Sequence, residues 1–303
     1  MNAFAVESED GLVLFDTGYA GEDGTRPLEL ALAQAGYGIA DVGLLVCTHA
    51  HTDHYGLAGP IVDAAGCELW IHPAWEHVRG LEDPNTALER RIEVARQSGV
   101  PAPALEQYRK ARRGEGTGLG RAIPPDRELV TGVEVPAAAG SWQVHETPGH
   151  VPSHVVLHQP ERGLLISGDH LLGRVSPFFD HGHTPDPVGE FLESLDLVEG
   201  LEVKLCLAGH GRPFRDTTAK VAANRELIDE HLSRVRASLD SEGKTAFEIV
   251  PDLIGPDNLS PATIAWGIQM TLAYLDHLAA RGSVAPVEDT DPRAWVAISA
   301  SRA

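Results

Sequence analysis

Four side chains of metal-ligating type crowd into Thr48-His49-Ala50-His51-Thr52-Asp53-His54. The segment follows an apolar run, Val42 to Cys47, that reads as a buried strand. It precedes a helix pattern from Tyr55 to Ala65. Side chains on a strand repeat direction every two residues, so a strand end aims His49 and His51 alike. Asp53 and His54 then lie on the turn into the helix and face a second point. One short loop can thus serve two adjacent cations.

Three further candidates stand at later strand ends or in the loops after them. His150 lies in Thr147-Pro148-Gly149-His150, Asp169 follows Ser167-Gly168, and His210 lies in Ala208-Gly209-His210-Gly211. Glycine and proline let the backbone turn sharply and point one side chain at a fixed place. The set divides into His49, His51 and His150 for one ion and Asp53, His54 and His210 for the other. Asp169 bridges them, which leaves a shared open position for a water. Imidazole and carboxylate ligands suit two zinc ions, and iron or manganese fit the same ligand types.

The elements that must position these residues alternate strand and helix. Ala3 to Glu7 and Leu12 to Asp16 read as strands around the turn Ser8-Glu9-Asp10-Gly11. Leu28 to Ala35 reads as a helix stopped by Gly36, and Glu68 to Ile71 as a strand. Residues 74–125 read as helical to Arg113 with a break at Gly99-Val100-Pro101, then a Gly- and Pro-rich mobile loop beside or over a site. Strand signals return at Glu128 to Val130, Trp142 to His145, Val155 to His158, Leu164 to Ser167 and Val203 to Ala208. A helix, Val188 to Val198, precedes the last of them. After Arg215 the pattern becomes helical at Thr218 to Leu239, Ala246 to Ile254 and Pro261 to Ala280, with a hairpin signal from Val284 to Ile298. The expectation is an α/β catalytic domain over 1–215 and a small helical domain over 216–303.

Composition bounds the function. The chain has 303 residues, 24 basic and 44 acidic side chains and a formal net charge of −20. A field of that sign disfavours broad nucleic-acid binding and favours a small-molecule substrate. The one basic cluster of note is Arg109-Lys110-Ala111-Arg112-Arg113, which reads as a solvated helix face or a phosphate-holding patch. Three cysteines, none in a C-x-x-C pair, point to a reduced, cytoplasmic setting. No stretch has the length and apolarity of a membrane span, and Met1 to Asp10 lacks the pattern of a signal peptide.

The H-x-H-x-D-H segment, with His150, Asp169 and His210 in that order, resembles the metallo-β-lactamase-fold hydrolase superfamily. Asp16-Thr17-Gly18 also matches a motif of that family, whose aspartate supports the site. The resemblance spans roughly residues 2 to 215. It implies a four-layer αββα sandwich with a dinuclear site at one edge, and it makes residues 74–125 an insertion. Such proteins usually carry a further strand ahead of the segment matching Asn2 to Val6. The part from about Thr218 is similar to the winged-helix-like appendage of one subgroup, which includes endoribonuclease-like members.

The chemistry that follows is hydrolysis. Two divalent ions, two carboxylates (Asp53 and Asp169) and a bridging hydroxide leave a charge of about +1 inside an acidic protein. Metal binding lowers the pKa of water to about 7, so hydroxide is available to attack a small carbonyl substrate, a thioester or a lactone or ester first. Asp53 would also orient the nucleophile. Single-stranded RNA cleavage and an iron-dependent redox reaction are the alternatives within the same fold. His181 and His183 are candidate substrate contacts at the pocket mouth, and Tyr55 is a further candidate substrate contact lining the pocket. Phe178, Phe179 and Trp266 are candidate pocket aromatics, and His154 a candidate hydrogen-bond partner to the ligand set. His170 is not taken as a ligand, because consecutive side chains on an extended segment point apart. His72, His77, His145, His158, His231 and His277 carry no case beyond structure. Pro261 to Ala280 is the expected contact of a homodimer.

Overall fold

The computed structural model describes residues 1–298. Its first sheet runs in chain order through β1 (Phe4–Ser8), β2 (Gly11–Phe15), β3 (Val42–Val46), β4 (Glu68–Ile71) and β5 (Arg127–Glu128). Strands β2 to β5 are parallel neighbours, while β1 and β2 form an antiparallel hairpin. The second sheet comprises β6 (Glu134–Val135), β7 (Trp142–Glu146), β8 (Val155–Gln159), β9 (Leu164–Gly168) and β10 (Leu205–Ala208), in the order β10-β9-β8-β7-β6.

Period-2 patterning explains how the two sheets stack. Val13 and Phe15 of β2 and Leu44 and Val46 of β3 meet Trp142, Val144, Val155, Leu157 and Ile166 of the other sheet in one buried cluster. The alternate residues Leu12, Leu14, Leu45, Leu69 and Ile71 face the opposite way. They are covered by α1 (Arg26–Gln34), by the single turn α2 (Thr52–Tyr55) and by α3 (Ala58–Ala65). Helix, sheet, sheet, helix is the expected αββα order.

The expected helix from Tyr55 to Ala65 breaks in two at Gly56. A Cβ there would strike the carbonyls of Thr52 and Gly118, so only glycine admits the inserted loop so close to the motif. The insertion itself contains a 3-10 segment (Pro73–Leu81), α4 (Pro84–Gln97) and α5 (Ala102–Arg112). Asp83 caps α4 through the Asn85 and Thr86 amides, and Pro84 pre-sets its first turn. The chain from Gly114 to Pro125 then lies beside the motif, with Ala20 N–H donating to Gly118 O at 2.8 Å.

Helix α6 (Pro187–Glu199) covers the outer face of the second sheet. The C-terminal part follows as α7 (Thr217–Ser238), β11 (Lys244–Thr245), α8 (Ala246–Ile254), α9 (Pro261–Ala280), β12 (Val284–Pro286) and β13 (Ala294–Ala297). The last two strands form the expected hairpin, and β11 pairs with β13. Ser260 and Thr263 make a capping box that starts α9. The core crosses residues 215/216 without a break: Val156, Leu165 and Cys206 share one buried cluster with Ile228, Ile268 and Tyr274. Helix α9 is the centre of that part. Its side chains from Thr271 to Leu275 are buried, which leaves exposed positions in its first two turns at Pro261, Ala262 and Ala265.

All three cysteines are buried and unpaired. Among the described residues no helix is long and apolar enough to cross a membrane.

A candidate metal centre at one edge of the sandwich

The ends of β3, β8, β9 and β10 lie at one edge. His49 and His51 leave β3, His150 precedes β8, Asp169 follows β9, and His210 follows β10. A register shift at Leu207/Ala208 turns the end of β10 towards β9. Gly209 then passes so close that an added Cβ would lie 2.5 Å from Asp169 Oδ1 and 2.7 Å from His54 Cε1. The small residue in Ala208-Gly209-His210 is thus required by the approach of the neighbouring strand end.

The structure brings all seven expected ligand residues together. His49 Nε2 lies 3.1 Å from His51 Nδ1, which lies 2.9 Å from His150 Nε2. His210 Nε2 lies 3.0 Å from Asp53 Oδ2 and 3.4 Å from Asp169 Oδ2. His54 Nε2 lies 3.5 Å from Asp53 Oδ2 and 3.3 Å from Asp169 Oδ1. His150 Nε2 lies 3.8 Å from Asp169 Oδ2. Asp169 therefore stands between the two histidine groups. Their candidate ligand atoms form the mutually close sets His49–His51–His150, His49–His54–Asp169 and Asp53–His54–His210.

The outer nitrogens of four of these imidazoles are each matched to an acceptor. His54 Nδ1 lies 2.8 Å from Asp16 Oδ2. His150 Nδ1 lies 2.8 Å from Phe178 O. His49 Nδ1 lies 3.0 Å from Thr48 Oγ1, whose hydroxyl donates to Asp16. His51 Nε2 lies 3.3 Å from Asp180 Oδ2. A proton on the outer nitrogen leaves the inner lone pair free, which is the tautomer a cation needs. The inner atoms His54 Nε2 and Asp169 Oδ1 are buried with no hydrogen-bond partner. The donor set and these orphaned atoms fit a pair of divalent cations.

The electrostatics divide the cluster. Burial pushes His150 down to about 4, helped by the neighbouring His51, and drives His49 well below the ordinary value. Burial also works against His54, yet the Asp16 and Asp169 carboxylates overcome it and raise it to about 10. Hydrogen bonds to Asp169 and Asp53 raise His210 to about 9. Against their own burial, Asp169 and Asp53 are held below the usual carboxylate range, chiefly by His210 and His54. In the metal-free chain, protons on His54 and His210 offset the carboxylates where cations would otherwise do so.

The other candidates fall out unevenly. His154, expected to donate to the ligand set, instead accepts: Asp169 N–H donates to its Nε2 at 3.1 Å, and its Nδ1 lies 2.8 Å from Thr147 Oγ1. His170 is buried with neither ring nitrogen hydrogen-bonded, and its ring packs on Phe191. Tyr55 is not a pocket residue. It is wholly buried, and its hydroxyl donates to Ile123 O and accepts from Ile123 N–H. His181 does not face the cluster either: its Nε2 lies 2.7 Å from Asp276 Oδ2 on α9. His183 stays at the rim, 3.4 Å from Asp180 Oδ2. Phe179 is core, whereas Phe178 packs on the His51 and His150 rings. Trp266 is half-buried against the C-terminal core.

Three residues near the site had no sequence signal of their own. Asp180 lies behind His51. His77, from the insertion, stacks near His183 with ring centroids 5.1 Å apart. Tyr19 is 60% exposed, and partial burial and the Asp53 carboxylate raise its hydroxyl pKa. A cleft of about 380 Å³ opens between Tyr19–Glu22 and Gly116–Gly118. Three of the four cations of the basic cluster are matched by acids: Arg109 pairs with Glu89 and Glu106, Lys110 with Glu106, and Arg112 with Glu115.

Residues 2–210 match the model of the metallo-beta-lactamase superfamily, and the chain belongs to that family. It is similar to the probable metallo-hydrolase YqjP of Bacillus subtilis (strain 168), 26% identical over 252 residues, which are 80% of this chain and 77% of that protein. It is also similar to a hydroxyacylglutathione hydrolase of Cereibacter sphaeroides, 27% identical over 56% of this chain and 59% of that enzyme. Among solved structures, a metallo-beta-lactamase family protein from Thermus thermophilus matches with a TM-score of 0.79 and 27% identity, covering 98% of this chain and 93% of that one. That coverage takes in the C-terminal helices. Membership of this superfamily supports a metal-dependent hydrolase.

Proposed function

We propose that the protein is a dinuclear metal-dependent hydrolase of small carbonyl substrates, a thioester first and a lactone or ester next. The observation that carries the reading is the tautomer pattern. Asp16, Thr48, Phe178 and Asp180 accept at the outer nitrogens of His54, His49, His150 and His51, so the inner nitrogens are the ones turned to the shared cluster, where His51 meets His49 and His150 and Asp169 meets His54 and His150. His49, His51 and His150 would hold one ion, Asp53, His54 and His210 the other, and Asp169 both. Zinc fits these ligands. Two such ions supply a water ionised near neutral pH and Lewis-acid polarisation of the carbonyl.

The chain's own residues do the rest. Asp53 stands at the open side of the cluster, where it can accept a proton and orient a water. In this reading a small substrate would enter by the cleft between Tyr19–Glu22 and Gly116–Gly118, and Tyr19, kept protonated, would donate a hydrogen bond to it. His183 lines the rim as a substrate contact.

The hydroxyacylglutathione hydrolase likeness supports a thioester, since that relative's name describes a thioesterase substrate. The C-terminal order helix, strand, helix, helix, strand, strand supports the winged-helix-like reading of that part. RNA cleavage is the weaker alternative, because acids pair with the basic cluster on α5 and the net charge is −20. An acyl-thioester and lactone panel against single-stranded RNA, with zinc-loaded protein, separates the two. Turnover of the small acyl compounds alone is expected. Cleavage of RNA alone would reverse the ranking.

A further inference from the structure

The segment from Asp180 to Asp186 ties the candidate metal centre to the C-terminal helix α9. Asp180 Oδ2 lies 3.3 Å from His51 Nε2, and Asp180 N–H donates to His150 O at 3.0 Å. One residue on, the chain faces the other way. His181 N–H donates to Gln269 Oε1 at 3.2 Å, and His181 Nε2 lies 2.7 Å from Asp276 Oδ2. At the far end, His277 Nδ1 lies 2.8 Å from Asp186 Oδ1. Gln269, Asp276 and His277 all belong to α9, which lies beyond the residues matched by the family model.

His51 differs from the other three imidazoles in the atom it offers. Its Nδ1, not its Nε2, meets His49 Nε2 and His150 Nε2. It can give that lone pair to a cation only with its proton on Nε2, and Asp180 is the acceptor there. His51 is also the most exposed of these four rings, with 21% of its side chain accessible, so packing holds it least. An acceptor fixed in place therefore matters most at this ligand. Loop backbone alone fixes a carboxylate poorly, but here α9 grips the loop one residue away.

We propose that Asp180 is a positioning residue for the cation site of His49, His51 and His150, and that α9 holds it in place through the Asp276–His181 contact. The proposal rests on the reading of this cluster as a dinuclear metal centre. The C-terminal part thereby sets the affinity of one of the two ions without touching either. Partners of this kind typically change metal affinity about 10- to 100-fold when removed.

The test is cobalt(II) titration of the full-length metal-free protein, followed by visible absorption, with the two binding constants resolved. Asp180→Asn should weaken one constant about 10- to 100-fold and leave the other within about twofold. Asp276→Asn should weaken the same constant, by less. Should Asp180→Asn not give folded protein, Asp276→Asn carries the test alone, because it leaves every group at the centre in place. Unchanged constants in the folded variants, or equal weakening of both, would overturn the proposal while wild type still binds two ions. Wild type that binds fewer than two ions would overturn the dinuclear reading itself, and this proposal with it.

Discussion

Asp16 Oδ2 lies 2.8 Å from His54 Nδ1, and both side chains are buried, at 2% and 0% accessible. The same carboxylate accepts from Thr48 N–H and Thr48 Oγ1–H, and Thr48 Oγ1 in turn meets His49 Nδ1. One carboxylate at the end of β2 thus orients one imidazole from each proposed ion site. Removing it takes from the buried His54 the closest of its counter-charges, with Asp169 and Asp53 remaining at 3.3 and 3.5 Å. Asp16→Ala should cost about 3–5 kcal/mol of stability and lower metal affinity about 10- to 100-fold. Denaturant unfolding and metal titration of the variant check both halves.

Acid should destabilise the metal-free protein well before its carboxylates titrate. Burial lowers His150 to about 4 and His170 to about 3. In the unfolded chain both take up protons near pH 6.5. Between pH 6.5 and about 4 the unfolded state binds protons that the folded state refuses, so stability falls as pH falls. Each histidine contributes about 1.4 kcal/mol per pH unit in that window. His54 and His210, raised to about 10 and 9, oppose this near pH 7 but are protonated in both states below about pH 6, so melting temperatures of metal-free protein should fall from pH 6 to pH 5, and a flat profile there would count against these buried neutral imidazoles.

Metal uptake should release protons. His54 is raised to about 10 and His210 to about 9, so both carry a proton at pH 7.5 without metal. Each must lose it to become a ligand, giving about two protons released per chain from these side chains and up to about one more from the ionised water. Calorimetric titration in two buffers of different ionisation enthalpy counts them. No release would mean that His54 and His210 are not ligands.

Tyr55→Phe separates core from pocket. The hydroxyl is bonded to both Ile123 O at 2.6 Å and Ile123 N at 2.7 Å, inside the helix layer of the first sheet. Its loss leaves two buried backbone groups unpaired, at a cost of about 1–3 kcal/mol. KM and metal content should stay as in wild type. A raised KM with unchanged stability would return Tyr55 to the pocket.

The ligand set was legible because its chemistry is local: the residues sit at strand ends or on the turn α2 just after β3, and small or rigid neighbours fix the direction of His150, Asp169 and His210. The β-strands of the sandwich were legible for the same reason, since alternation and apolar runs are local signals. β6 was not, because Glu134–Val135 is too short to show a period. Tyr55 misled because the residue after a ligand on a helix points about 100° away, here into the core. His181 misled because an adjacent residue, Asp180, takes the site-facing direction and leaves His181 to α9. Asp180, His77 and Tyr19 reach the cluster only through tertiary folding, from three segments far apart in sequence. Lone Asp, His and Tyr residues in loops carry no periodic or spacing signal that would mark them beforehand.

The central claim is that metal and turnover belong to the same seven residues. Metal content and acyl-thioester hydrolysis should be measured together on wild type, His49→Ala and Asp169→Ala. The account predicts two divalent ions per wild-type chain, at most one in His49→Ala, fewer than two in Asp169→Ala, and turnover lost in both variants. Full turnover in a variant that has lost its metal, or a wild-type protein that hydrolyses the thioester with no bound ion, would contradict it.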